Sequence, residues 1–335
     1  MKRNKLRLTL VAAIAGLALA ACTSPTPGVA QAGDTAAPQA AAWNAGDVIV
    51  SPAGIATAWI PAGTFTMGSP DTETGRFSTE SPQRQVTISR GFWMGVYPVT
   101  QEEWMRVMGS NPVDSDSEHY GSQRPVVDVS WYEAIVFASR LSIMEGLSPA
   151  YSIDGSTNPD DWGDAPSWDG WGDAPYWEDS ETWNAVEIIE GSNGWRLPTE
   201  AQWEHAARAG TTTAFSNGAQ DWQDWNSIEA IGWFNRAWVP GLEIERRTHD
   251  VGTKEANPWG LHDIHGNVFE WVWDWWGTYP PHAQSDPSGE FSGEIFRVRR
   301  GGSWGMSANF ARSASRFAST PYGRSIDIGF RLARP

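Results

Sequence analysis

A single cysteine, Cys22, stands in this chain of 335 residues, and it lies at the end of an N-terminal apolar run rather than inside the globular sequence. Whatever folds downstream must therefore hold together without disulfides, thiolate nucleophiles or cysteine metal ligands. The run itself has the form of an export signal. Lys2, Arg3, Lys5 and Arg7 make a basic start, and Leu8 to Ala20 is apolar but too short to span a bilayer as a stable anchor. Residues 1–21 thus read as a signal peptide.

Small residues lead straight into the thiol in Leu19-Ala20-Ala21-Cys22, which resembles the lipobox of bacterial lipoproteins, where the cysteine is acylated and becomes the new N-terminus. The resemblance implies an exported protein, lipid-anchored through Cys22 to the cell envelope, at the outer membrane or cell surface. An ordinary secretory cleavage beside a stray cysteine is the alternative. Residues 22–45 are rich in Ala, Pro, Thr and Gln and poor in charge, a composition that cannot bury enough apolar surface to order itself, so they read as a flexible tether. The remaining residues, 46–335, contain no second low-complexity break and are expected to form one domain with large loops.

The formal charge is −16, from 24 basic and 40 acidic residues, and losing the four basic residues of the signal takes it to −20, which excludes nucleic acid as a partner. The charge is unevenly placed. Asp154 to Glu190 holds eleven acids and no Lys or Arg, whereas Arg297 to Pro335 holds eight Arg and a single acid, Asp327. Two roles follow for those arginines: pairing with acidic groups elsewhere in the chain, or facing an acidic ligand.

Three helices are marked at both ends. Thr100 with Glu103 forms a capping box for Gln101 to Met108, which stops at Gly109. Ser130 with Glu133 opens a second helix whose apolar stripe stops at Gly146, and Thr199 with Gln202 opens a third that runs to Gly210. Strands are expected at Ala58 to Ile60, Thr64 to Met67, Gln85 to Ile88, Phe92 to Val96, Arg297 to Arg300 and Gly329 to Leu332, all between glycine or proline breaks. The rest is loop. The 22 tryptophans offer a way to hold such loops by aromatic burial where regular elements are scarce. One near-duplication, Trp162-Gly-Asp-Ala-Pro-Ser-Trp168 and Trp171-Gly-Asp-Ala-Pro-Tyr-Trp177, reads as an expanded surface loop with exposed Trp and Asp able to contact a ligand.

Seven ordered motifs point to a family: Gly63-Thr-Phe-Thr-Met-Gly68, Val99-Thr100, Pro125-Val-Val-Asp-Val-Ser-Trp131, Trp195-Arg-Leu-Pro-Thr-Glu-Ala-Gln-Trp-Glu204, Gly260-Leu-His-Asp-Ile-His-Gly-Asn-Val-Phe-Glu-Trp271, Arg300-Gly-Gly-Ser-Trp304 and Gly329-Phe-Arg331. In order and spacing they resemble the formylglycine-generating enzymes, the sulfatase-modifying factors. The resemblance implies an α+β, loop-rich, C-type-lectin-like fold with few short helices and strands.

Family members with the namesake activity oxidise a sulfatase cysteine with copper, oxygen and paired cysteines in the segment after Arg-Gly-Gly-Ser. Here that segment, Gly305 to Arg316, has no cysteine, and neither Ser nor Met306 replaces a two-thiolate Cu(I) site, so no copper is expected and no catalytic residue is assigned. The sulfoxide synthases of thiohistidine biosynthesis bind iron through an additional helical domain absent here. His262 and His265 have no acid or third His in a helical pattern that would make them a metal pair. The resemblance also implies a calcium site at Asp263, the carbonyls of Gly266 and Val268, and Glu270, oxygen donors of the kind Ca²⁺ takes. Asp263 and Glu270 have an alternative, pairing with C-terminal arginines.

A second branch, the variable proteins of diversity-generating retroelements, rewrites the stretch between Arg-Gly-Gly-Ser-Trp and Gly-Phe-Arg by adenine-targeted mutagenesis. Here that stretch offers Gly305, Ser307, Asn309, Phe310, Ser315, Phe317, Ser319, Thr320, Tyr322, Ser325 and Asp327, all encodable from an Asn codon ending in C by changing its adenines. Trp, Lys, Glu and Gln, which that codon cannot yield, are absent after Trp304; Met306 is the exception. Small, hydroxyl and aromatic side chains on a fixed backbone resemble antibody-type contact surfaces, and a solvated Ser- and Ala-rich loop is the plain alternative. The expected function is a cell-surface module binding a protein or glycan outside the cell. An oxidoreductase of the sulfatase-modifying type and an envelope accessory protein are the rival expectations.

Overall fold

The computed structural model describes residues 43–168, 181–235, 246–289 and 295–335. Cys22, the signal peptide and nearly all of the tether lie outside the described residues, as does the second copy of the Trp-Gly-Asp-Ala-Pro repeat. The compact unit starts at Trp43, slightly ahead of the expected Gly46, because the Trp43 ring packs edge-on against Trp93 at 4.9 Å.

All three capped helices form where their signals lie. Helix α1, Gln101–Met108, has Thr100 accepting from the Glu103 N–H, and it ends at Gly109 with φ 81°, a left-handed cap that suits glycine. Helix α2, Trp131–Met144, buries ten side chains behind the Ser130 box. Two single-turn helices, α3 (Glu181–Asn184) and α5 (Trp225–Ile228), flank helix α4, Glu200–Arg208, which the Thr199 box opens. Helix α4 is buried along almost its whole length, including Glu200, Glu204 and Arg208, so its polar groups need partners inside the fold.

Among the described residues the strands form four small sheets. Val48–Val50, Ala56–Ile60, Phe92–Gly95 and Ala333–Arg334 form one antiparallel sheet. A second runs Arg316–Ser319, Arg297–Arg300, Phe269–Trp275 and Ile328–Phe330, with only the last pair parallel. Gly63–Met67, Arg84–Ile88 and Gln284–Ser285 make the third, and Tyr151–Ser152 pairs with Glu187–Ile188. The six expected strands are present within two residues of their expected ends. Seven of the described strands lie outside those expectations, and the longest of them is the inner strand Phe269–Trp275, every residue of which is buried. Its acids Glu270 and Asp274 are both satisfied internally.

Tryptophan does hold the loops. Trp131, Trp195, Trp203 and Trp271 are fully buried, and the indole N–H groups of Trp131 and Trp271 donate to the carbonyls of Val272 and Val129, tying the start of α2 to the central strand. No helix among the described residues is long and apolar enough to cross a membrane.

Candidate ligand-binding face

The C-terminal arginines answer the acids of the helices and loops. Arg300 donates to Glu204 at 2.6 Å and lies 3.5 Å from Glu200, while Arg316 makes a bidentate pair with Glu200 at 2.8 and 2.7 Å. Arg312 reaches Glu73 and Glu80, each at 2.5 Å, and Arg324 meets Glu133. Burial pushes the Glu204 carboxyl up, but Arg208 and Arg300 outweigh it and hold the group below its usual value. Five of the eight arginines (300, 312, 316, 324 and 331) thus have carboxylate partners, so most of this charge is structural rather than free for a ligand.

Of the expected calcium positions, Glu270 is already engaged by a protein cation. Both oxygens of Glu270 accept from Arg331 at 2.7 Å, Nε to Oε2 and Nη2 to Oε1, and Oε2 also accepts from the Trp203 indole at 2.7 Å. A cation would have to displace a buried bidentate guanidinium. Asp263 accepts from the Gly252 N–H at 2.7 Å and from Asn267 at 3.3 Å, and the Gly266 carbonyl accepts from the Val268 N–H at 2.9 Å. Burial raises the Asp263 carboxyl despite these bonds. The arginine alternative is the one realised at Glu270. His262 and His265, not expected as a metal pair, are both engaged: His262 Nδ1 bonds the Lys254 carbonyl at 2.7 Å. His265 is held between the Ala311 carbonyl at 2.8 Å and Ser216, whose N–H donates to Nε2 at 3.1 Å.

Locking these arginines inward fixes the backbone that carries the remaining expected residues. Arg297–Arg300 pairs with Arg316–Ser319 so that Arg300 faces Arg316 and Arg299 faces Phe317. The first pair turns inward to helix α4. Phe317 lies outside, stacked on Phe310 at 4.8 Å and meeting Phe77 edge-on at 5.2 Å. Beyond Ser319 the chain turns at Thr320–Gly323, where Trp168 joins it: the Trp168 N–H donates to the Tyr322 carbonyl at 2.7 Å, and the Arg324 N–H donates to the Trp168 carbonyl at 2.9 Å. The first copy of the duplicated loop is thereby zipped onto the C-terminal segment. Between them lies a cleft of about 430 Å³ whose walls include Trp168, Arg299, Ser319, Thr320, Arg324 and Ser325.

The eleven expected contact residues divide. Gly305, Ser307, Asn309, Phe310, Phe317, Ser319, Thr320, Tyr322, Ser325 and Asp327 are half-buried at the surface. Ser315 is a correction: it is fully buried, and its carbonyl accepts from Arg300 Nη1 at 2.7 Å, so it belongs to the arginine scaffold. Asp327 is tied to Ser303 at 3.0 Å and Ser325 at 2.5 Å, which gives it a positioning role. Sequence reasoning passed over Arg299, whose buried Nε has no hydrogen-bond partner and whose guanidinium lies 4.2 Å from the Phe269 ring centre. The alternation of the Arg297–Arg300 strand, which sets Arg299 opposite in orientation to Arg300, was the available signal.

Residues 51–335 match the family model described as the sulfatase-modifying factor enzyme 1-like domain. The chain belongs to this family. Among relatives in it, the chaperone protein LppX of Paenibacillus barcinonensis is 36% identical over 276 residues, covering 78% of this chain and 87% of its own. The formylglycine-generating enzyme of Mus musculus is 28% identical over 291 residues, 82% of this chain and 73% of its own. Of solved structures, Treponema denticola variable protein 1 superposes with a TM-score of 0.70 at 30% identity, covering 86% of this chain and 99% of its own. The C-type-lectin-like fold of the sulfatase-modifying factor family is therefore the fold of this protein.

Proposed function

We propose that this sulfatase-modifying-factor-like protein is an exported, lipid-anchored binding module that presents the face built from residues 317–327 and Trp168 to a protein or glycan outside the cell. The observation that carries the reading is the joining of two separate sequence features, the first Trp-Gly-Asp-Ala-Pro copy through Trp168 and the C-terminal segment, around one cleft. The likeness to a variable protein supports it, as does the absence of any thiol in Gly305 to Arg316 with which to bind Cu(I). An arginine scaffold beneath half-buried small and hydroxyl side chains is the arrangement that lets contact residues change without moving the backbone.

The genomic DNA downstream of the gene tests whether that face is diversified. A near-copy of the final codons beside a reverse transcriptase, with adenines at the codons for Ser319, Thr320, Tyr322 and Ser325, establishes it; an absent copy leaves an invariant binding face. A second reading, an envelope accessory protein, is favoured by the likeness to a relative named as a chaperone. It predicts that purified protein suppresses aggregation of an unfolded exported client at stoichiometric ratio, whereas the binding-module reading predicts no suppression. The oxidoreductase rival predicts oxygen uptake in the presence of copper and a cysteine peptide.

A further inference from the structure

A larger cleft lies at the other end of the Arg316–Ser319 strand. It encloses about 620 Å³ and is walled by Arg84, Glu200, Asp274, Tyr279, Gln284 and Arg316, with Thr278, Ser285 and Ser288 at its exposed rim. That volume falls in the range of small-molecule sites.

Two guanidiniums share one aromatic ring here: Arg84 lies 3.7 Å and Arg316 4.1 Å from the Tyr279 ring centre. Their bonding differs. Arg316 is saturated by Glu200 and by the Gly277 carbonyl at 2.7 Å. Arg84 is 8% exposed, donates from Nε to Gln284 at 3.2 Å, and keeps a buried Nη1 with no hydrogen-bond partner. Among the described residues it has no carboxylate partner. A buried guanidinium held flat by a ring and an amide, with donors left over, costs free energy unless something accepts from it.

The acids of the cleft do not supply that acceptor. Glu200 is neutralised by Arg316. Asp274 is pushed up to about 7, chiefly by burial and then by the Glu200 charge, and one of its oxygens accepts from the Glu200 N–H at 2.7 Å. Asp286 sits exposed at the rim and accepts from the Ser89 N–H at 2.9 Å. The inner wall is thus left with one uncompensated cation beside a carboxyl that carries its proton for much of the time at neutral pH, and a rim of hydroxyls.

We propose that this cleft binds a small oxyanion-bearing ligand, its carboxylate or phosphate received by Arg84 and its polar remainder by the hydroxyl rim. Guanidinium donors suit both oxyanions. The site is independent of the contact face around Trp168, which shares with it only the strand that ends in Ser319.

Calorimetric titration of the whole mature protein at pH 6 with inorganic phosphate, glucuronate and neutral glucose tests this. Phosphate, glucuronate or both bind, and glucose does not; which of the two binds assigns the oxyanion. Arg84→Gln weakens that binding at least tenfold, and Ser288→Trp, which narrows the mouth from an exposed rim position without touching the buried wall, abolishes it in a protein whose unfolding temperature is unchanged. Failure of both anions to bind at millimolar concentration, glucose binding as well as glucuronate, or unaltered binding in a folded Ser288→Trp variant overturns the proposal.

Discussion

Replacing Glu270 by Gln isolates the interaction that decides between an arginine anchor and a metal site. Glu270 and Arg331 are both fully buried, joined by two bonds of 2.7 Å, with the Trp203 indole adding a third at 2.7 Å. The amide keeps an acceptor for Trp203 but strips the buried Arg331 of its counter-charge, and breaking one side of a buried pair costs about 3–5 kcal/mol. Arg331→Met is expected at the upper end of that range or beyond. It also removes donors to the carbonyls of buried Gly95 and half-buried His262, each 2.9 Å away. Urea denaturation of both variants and of the double variant measures the coupling, and repeating the wild-type curve in EDTA and in millimolar calcium measures any metal term. The expected outcome is a large loss in each single variant, strong coupling between them, and one wild-type midpoint in both buffers. A loss below about 1 kcal/mol for Glu270→Gln, or a wild-type midpoint that falls in EDTA, refutes the anchor.

Three further expectations follow from burial and charge. Asp274, raised from 3.8 to about 7, contributes stability that is complete below pH 4 and lost as pH rises through 7, a span worth about 4 kcal/mol at most; Asp274→Asn, whose carbonyl still accepts from Glu200, should gain on wild type across that window in thermal melts. Ser315→Tyr overfills a closed site and should cost about 1–3 kcal/mol, whereas Thr320→Tyr at the half-buried turn should stay within about 0.5 kcal/mol, both read by urea denaturation. Cys22→Ser should move the protein from the membrane fraction to the soluble fraction and abolish incorporation of labelled palmitate, if the lipobox resemblance describes its anchor.

The elements legible in the sequence were those whose signals are local. Thr100, Ser130 and Thr199 each announced a helix because a capping box needs only residues three apart, and glycines at the far ends marked the stops. The strand Phe269–Trp275 was not legible, since Glu270 and Asp274 read as polar until residues 61 and 74 positions away satisfy them. The contact face was half-legible. Codon logic picked out the segment, yet it could not tell Ser315 from Ser319, because strand pairing with Arg297–Arg300 and the inward arginines decide which side each faces. Trp168 joined the face only through backbone bonds that no local pattern encodes. The pairing at Glu270 was hidden for a related reason. The donor types were present, but the arginine that occupies Glu270 comes from the far end of the chain.

The most direct test of the contact face is a displayed library in which Ser319, Thr320, Tyr322 and Ser325 are randomised together, scored for protease resistance and then selected on one immobilised protein such as lysozyme. A platform whose backbone is fixed by Arg300, Arg316 and Arg324 predicts that most clones stay folded, and that selected clones bind lysozyme and lose binding when those four positions are reverted. Widespread loss of protease resistance, or no binders above the unselected background, would show that the segment is part of the fold rather than a surface for ligands.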